Sequence, residues 1–186
     1  MLRLPLALTL VALATHANTP PANGGAAAPP TANLAGPKCP APEFRQFDFW
    51  VGDWDTFETD NSVPGSIARA RVEPIAAGCA IHQLYEQTDG LIGDSILSYD
   101  GVKKAWQQTW VTNFGGYMYL TGVFKDGAVT LEGETHTKSG KTIQMRITWK
   151  AEGPNVREFA VASTDGGKKW ERAFDVTFKK RKPAVQ

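Results

Sequence analysis

Glycine-centred turn signals recur along this chain at nearly even spacing, and that spacing constrains its fold more than any other feature. They stand at Asp89-Gly90, Asp100-Gly101, Asn113 to Gly116, Asp126-Gly127, Ser139-Gly140, Glu152-Gly153-Pro154 and Asp165-Gly166-Gly167. A separation of about 11 to 14 residues suits short strands joined by hairpins. The runs between the turns alternate with period two. In "TIQMRITWK", Ile143, Met145, Ile147 and Trp149 share one face, while Gln144, Arg146 and Thr148 share the other. In "RAFDVTFKK", Phe174, Val176 and Phe178 alternate with Ala173, Asp175 and Thr177. Such alternation predicts half-buried antiparallel strands.

Ten strands are predicted, over 53–59, 67–74, 79–87, 94–99, 105–112, 117–124, 128–136, 142–150, 156–163 and 171–179. Helix signal is confined to 42–49, where Phe44 and Phe47 fall on one side of a short turn. No segment is long enough for a helical crossover, which excludes a parallel sheet. The expected fold is all-β: an up-and-down antiparallel barrel that removes its exposed edges by closing on itself. A two-sheet sandwich is the alternative architecture.

The chain ahead of these strands has a different character. Arg3 precedes the apolar run "LPLALTLVALA", which is too short to span a bilayer. Small-residue cleavage sites follow at Ala12-Leu13-Ala14 and Thr15-His16-Ala17. This is the layout of a secretory signal peptide over 1–17, with a retained membrane anchor as the alternative. Residues 18–37, rich in Pro, Ala, Gly and Asn, offer little to bury and read as a disordered tether. The folded domain is expected over 38–182, in a periplasmic or secreted protein. Export into an oxidising compartment permits Cys39 and Cys79, the only two cysteines, to bond.

Twenty basic and 19 acidic side chains leave a net charge of +1, so no field gathers nucleic acid or an anionic membrane. The basic end, Lys179-Lys180-Arg181-Lys182, reads as a solvated terminus. No transmembrane segment is expected, and nothing in the sequence decides between a monomer and a homodimer.

The segment "FDFWVGDWDTF" gathers aromatics around Gly52 just before the first strand. A closed barrel needs one end sealed, and Phe44, Phe47, Phe49, Trp50 and Trp54 would supply that seal, with Gly52 allowing a close turn into the strand. Together with "GCAIHQLYE", "WQQTWV", "GGYMYLTG" and "STDGGKKW", this segment resembles the DUF1579 group of lipocalin-like bacterial proteins. Gly52-Asp53-Trp54 also matches the G-x-W signature that opens lipocalin barrels. The resemblance implies a lipocalin-like (calycin) barrel with Trp54 across its closed end and a basic side chain, Lys180 or Arg181, stacked on it. It implies little about activity. The related nitrobindins bind haem through a histidine late in the chain. The histidines here are His16, His82 and His136, so haem is not expected. The sequence suggests no metal site or other cofactor either.

Ser163 to Trp170, "STDGGKKW", fits the S-x-D-x-G-x-x-W pattern of propeller hairpins. One copy cannot build a propeller. Its physical content is a hairpin clamp, in which Ser163 and Asp165 bond turn amides, Gly167 takes positive φ and Trp170 packs beneath.

The aromatic strands suggest a pocket for a small hydrophobic or amphipathic molecule. Its expected walls are Trp106, Trp110, Tyr119, Met145 and Trp149, with Gln108 and Glu86 as polar anchors. A solid core made of the same aromatics, in an envelope interaction protein, is the competing expectation. Nucleophile and phosphate-binding motifs are absent, which weighs against an enzyme. His82 and Glu86 share a strand face but lie roughly 13 Å apart along it, too far for a dyad. A lipocalin-like isomerase, cyclase or hydrolase built on a buried carboxylate stays open, with Glu86 as the candidate.

Overall fold

The computed structural model describes residues 39–182. The predicted signal peptide and tether lie outside them. Ten strands follow one another: β1 (Gly52–Glu58), β2 (Ala68–Ile75), β3 (Ala80–Gln87), β4 (Ile92–Asp100), β5 (Ala105–Thr112), β6 (Tyr117–Lys125), β7 (Ala128–His136), β8 (Thr142–Glu152), β9 (Asn155–Ser163) and β10 (Glu171–Lys180). Each pairs antiparallel with its sequence neighbours, and β1 pairs with β10. The sheet is therefore a closed barrel and not a sandwich. Closure gives the backbone groups of both terminal strands a partner, so no sheet edge is left open.

The strand limits follow local chemistry. Asp126 and Gly127, both at positive φ, make the tight turn between β6 and β7, the conformation that two-residue hairpins require. Strand β4 begins at Ile92, two residues before its predicted start, because Gly93 is an inward-facing strand residue and not part of the turn. A Cβ there would come within 2.1 Å of the Trp110 ring, so the indole of β5 lies directly over the bare backbone of β4. Inward-facing Gly122 and Gly133 likewise leave no room for a side chain against the neighbouring strand.

One end of the barrel is plugged. Two short 3-10 turns, Pro42–Arg45 and Asp48–Trp50, carry Phe47 and Trp50 into the barrel mouth. These meet Trp54, Trp106, Trp149 and Phe178, all six fully buried. Phe47 stands edge-on to Trp106 and Trp149 at centroid distances of 5.0 and 5.5 Å, and Trp50 edge-on to Phe178 at 5.7 Å. Edge-to-face pairs add about 0.5–1.5 kcal/mol each beyond the area they bury.

Polar contacts lock the plug. Trp54 Nε1 donates to the Trp50 carbonyl at 2.9 Å, and Trp106 Nε1 donates to Gln46 Oε1 at 3.0 Å. Trp54 and Lys180 are register partners on β1 and β10. The Lys180 ammonium lies 3.9 Å from the centre of the Trp54 ring and donates to the Val51 carbonyl at 2.8 Å. Arg181 turns instead to Asp55, at 3.2 Å. Phe44 packs edge-on against Tyr99. A Cys39–Cys79 disulfide, with Cα atoms 5.4 Å apart, ties the start of the domain to the β2–β3 turn. Arg45 donates to the Gly78 carbonyl beside it.

Among the described residues, no helix is long and apolar enough to cross a membrane. Among the same residues, no cluster of three or more His, Cys, Asp or Glu could hold a metal ion.

Candidate ligand cavity

Opposite the plug the interior is not filled. A cavity of about 290 Å³ lies toward the open end, where β1, β3, β5, β7 and β9 terminate. A barrel solid throughout is thereby excluded. Trp110, Tyr85 and Phe174 supply aromatic wall, and Met118, Ile147 and Val176 supply aliphatic wall. Ile67 and Leu91 stand nearer the rim. The polar lining consists of Gln83, Gln87, Gln108, Glu58 and Glu158, with no Lys, Arg or His.

Strand register explains why these side chains converge. On β9, Val156, Glu158 and Ala160 point inward, and Glu158 pairs with Trp149 of β8 and Val176 of β10. Val176 in turn pairs with Glu58 of β1. The two carboxyl-bearing residues therefore flank β10 on one wall, with Cα atoms about 10 Å apart, twice the inter-strand spacing. On β3 the inward residues are Ile81, Gln83, Tyr85 and Gln87.

The electrostatics of this wall are unusual. Burial pushes the Glu158 carboxyl up to about 8, against a smaller opposing pull from the Trp149 indole. Burial also raises the Tyr85 hydroxyl, helped by the charges of Glu158 and Glu58. Gln83 accepts from Ser95 Oγ at 3.2 Å. Gln108, only 3% exposed, has an Oε1 with no hydrogen-bond partner. Leaving a buried polar atom unpaired costs about 1–3 kcal/mol. Among the expected anchors, then, Gln108 stands at the cavity with unspent hydrogen-bonding capacity.

The expected walls separate into three groups. Trp110 and Gln108 line the cavity. Trp106 and Trp149 also face inward but sit deeper, within the aromatic plug, and Met145 packs against the core without lining the cavity. Glu86 and Tyr119 must be corrected: both lie on the outer face. Glu86 is exposed next to Arg69 of β2, its register partner. Tyr119 is 39% exposed, beside Thr109 of β5. The cause is parity. In "AIHQLYEQ" each face mixes apolar and polar residues, so hydrophobicity does not say which one turns inward. In "YMYLTGVFK" the larger aromatics lie outside, and Met118 and Leu120 fill the inside.

Glu158 escaped the sequence reading for the same reason. Its face of "NVREFAVAS" carries Val156, Ala160 and Ala162, while the opposite face carries the bulkier Phe159 and Val161. The usable signal was steric: small residues on β9 leave room for partners across the barrel, whereas bulky ones suit the outside. His82, on the outer face of β3, pairs with Asp94 at 2.7 Å and is remote from the cavity lining.

At the rim, the β9–β10 hairpin forms a closed hydrogen-bond cluster. Ser163 Oγ donates to Asp165 Oδ1 at 2.7 Å and accepts from Gly167 N at 2.9 Å. Asp165 Oδ1 also accepts from the backbone of Lys168 and Lys169 at 3.0 Å each. These amides and Ser163 hold the Asp165 carboxyl below the usual carboxylate range. Trp170 Nε1 donates to the Gly167 carbonyl at 3.0 Å, and the Arg146 guanidinium lies 4.6 Å from the Trp170 ring centre. The arrangement is structural, since Ser163 Oγ and Asp165 Oδ1 are both spent on the turn itself.

No family model matches the sequence, and no curated protein is significantly similar to it.

Proposed function

We propose that this protein is an exported binding barrel of the DUF1579, lipocalin-like type, and that it holds a small hydrophobic or amphipathic molecule. The observation that carries this reading is the cavity: about 290 Å³, mostly apolar in its walls, with the buried Gln108 Oε1 unpartnered beside it. Apolar walls with a few fixed polar groups are the usual make-up of small-molecule sites. The signal-peptide pattern over 1–17 supports export, and a disulfide is at home in an oxidising compartment. Native mass spectrometry of protein freshly purified from an exporting host tests the reading. A non-covalent small molecule should accompany the barrel and leave on denaturation, and the emptied barrel should bind the neutral dye N-phenyl-1-naphthylamine. Neither retained molecule nor dye binding would end it.

One observation favours a second reading. A carboxyl pushed up to about 8 inside a cavity can give or take a proton near neutral pH, as a general acid must. In an isomerase, cyclase or hydrolase of this kind, Glu158→Gln abolishes turnover and leaves substrate affinity nearly unchanged. In the binding reading, the same substitution alters affinity.

A further inference from the structure

Resting on the binding reading, we propose that the cavity selects a small organic cation, seating an apolar ring against Trp110, Tyr85 and Phe174 and directing its ammonium to Glu58, Glu158 and Gln108. Four features of the lining converge on that chemistry. The lining contains two carboxyl groups and no basic side chain, so a bound anion would meet only like charge. The carboxyls flank β10 on a single wall, where one cation between them can serve both. Gln108 Oε1, buried and unpartnered, is an acceptor waiting for a donor. The remaining wall is rich in aromatic faces, which attract cations most strongly when both are desolvated. A neutral alcohol could satisfy Gln108 but would leave the carboxyl pair without a counter-charge.

The high proton affinity of Glu158 agrees with this geometry. In the empty cavity no cation offsets burial, so the carboxyl keeps its proton. An entering ammonium supplies the missing charge and lets the carboxyl ionise. The ionisable groups that share its cavity are Glu58 and Tyr85, neither of which can supply a positive charge.

Three probes with one ring separate the possibilities: 2-phenylethylamine, 2-phenylethanol and phenylacetate, titrated by calorimetry near neutral pH. The amine should bind at least about tenfold more tightly than the alcohol and the acid, a margin a desolvated cation–π and ion contact can supply. Glu158→Gln should erase that preference, lowering the affinity for the amine far more than the affinity for 2-phenylethanol. Should that variant fail to fold, Glu58→Gln carries the same comparison. Equal binding of amine and alcohol, insensitive to either substitution, overturns the cation assignment and leaves the binding barrel standing. No saturable binding of any probe also overturns the cation assignment, and the binding barrel falls with it only when no molecule co-purifies and N-phenyl-1-naphthylamine is refused as well.

Discussion

Glu158 on β9 stands directly across from Trp149 on β8, and the pair marks the boundary between the sealed half of the barrel and its cavity. Above it the lining holds water-seeking groups in an apolar setting, and below it the aromatic plug is fully packed. That position makes the protonation of Glu158 a property of the fold. Between the ordinary value of 4.5 and about 8, the native state holds a proton that the unfolded chain has released. Stability from this group is therefore complete below pH 4.5 and falls as pH rises through 8, by at most about 1.4 kcal/mol per pH unit. Glu158→Gln should flatten that decline, matching wild type near pH 4.5 and exceeding it near pH 9. Urea unfolding across this range checks it; parallel profiles would remove Glu158 from its apolar setting.

The plug makes a second prediction. Lys180→Met keeps the side-chain stem but loses the cation over Trp54 and the donor to Val51 O, at a cost of about 1–2 kcal/mol. Gly52→Ala should cost more. Gly52 has φ +153, and an added Cβ would lie 2.1 Å from Lys180 Nζ. Backbone strain of that kind alone is worth about 1–3 kcal/mol. Denaturant midpoints should rank wild type, then Lys180→Met, then Gly52→Ala.

At the cavity, Gly93→Ala forces Trp110 off the β4 backbone and into the space a ligand would use. Overpacking should cost about 1–3 kcal/mol of stability. Affinity for N-phenyl-1-naphthylamine should fall as well, measured by fluorescence titration. Unchanged affinity would mean that the dye sits elsewhere.

The disulfide joins residues 40 apart in sequence. Closing a loop of that length stabilises by about 4 kcal/mol through restriction of the unfolded chain. Reductant should lower the urea midpoint accordingly. Unreduced protein should take up no thiol label.

The strands were legible in the sequence because their turns carry residues with local conformational demands, as at Asp126-Gly127 and Asp165-Gly166-Gly167. Period two then shows which residues share a face, but not which face turns inward. Where one face was plainly apolar, as for Ile147 and Trp149 on β8, the inside was readable. On β3 and β9 the interior carries Gln83, Gln87 and Glu158, and the rule that apolar residues go inside misleads. A functional cavity departs from that rule because its polar groups exist to meet a ligand. Gly93 shows a further limit: its role depends on an indole 17 residues away, a relationship that only register reveals.

The most direct test follows the six indole N–H signals and the glutamine side-chain amides by NMR during titration with 2-phenylethylamine. Saturable shifts are expected at Trp110 and Gln108, with Trp50 and Trp54 in the plug unmoved. Shifts centred on Trp50 and Trp54, or no shift at Trp110 and Gln108 at saturating probe, would contradict this placement.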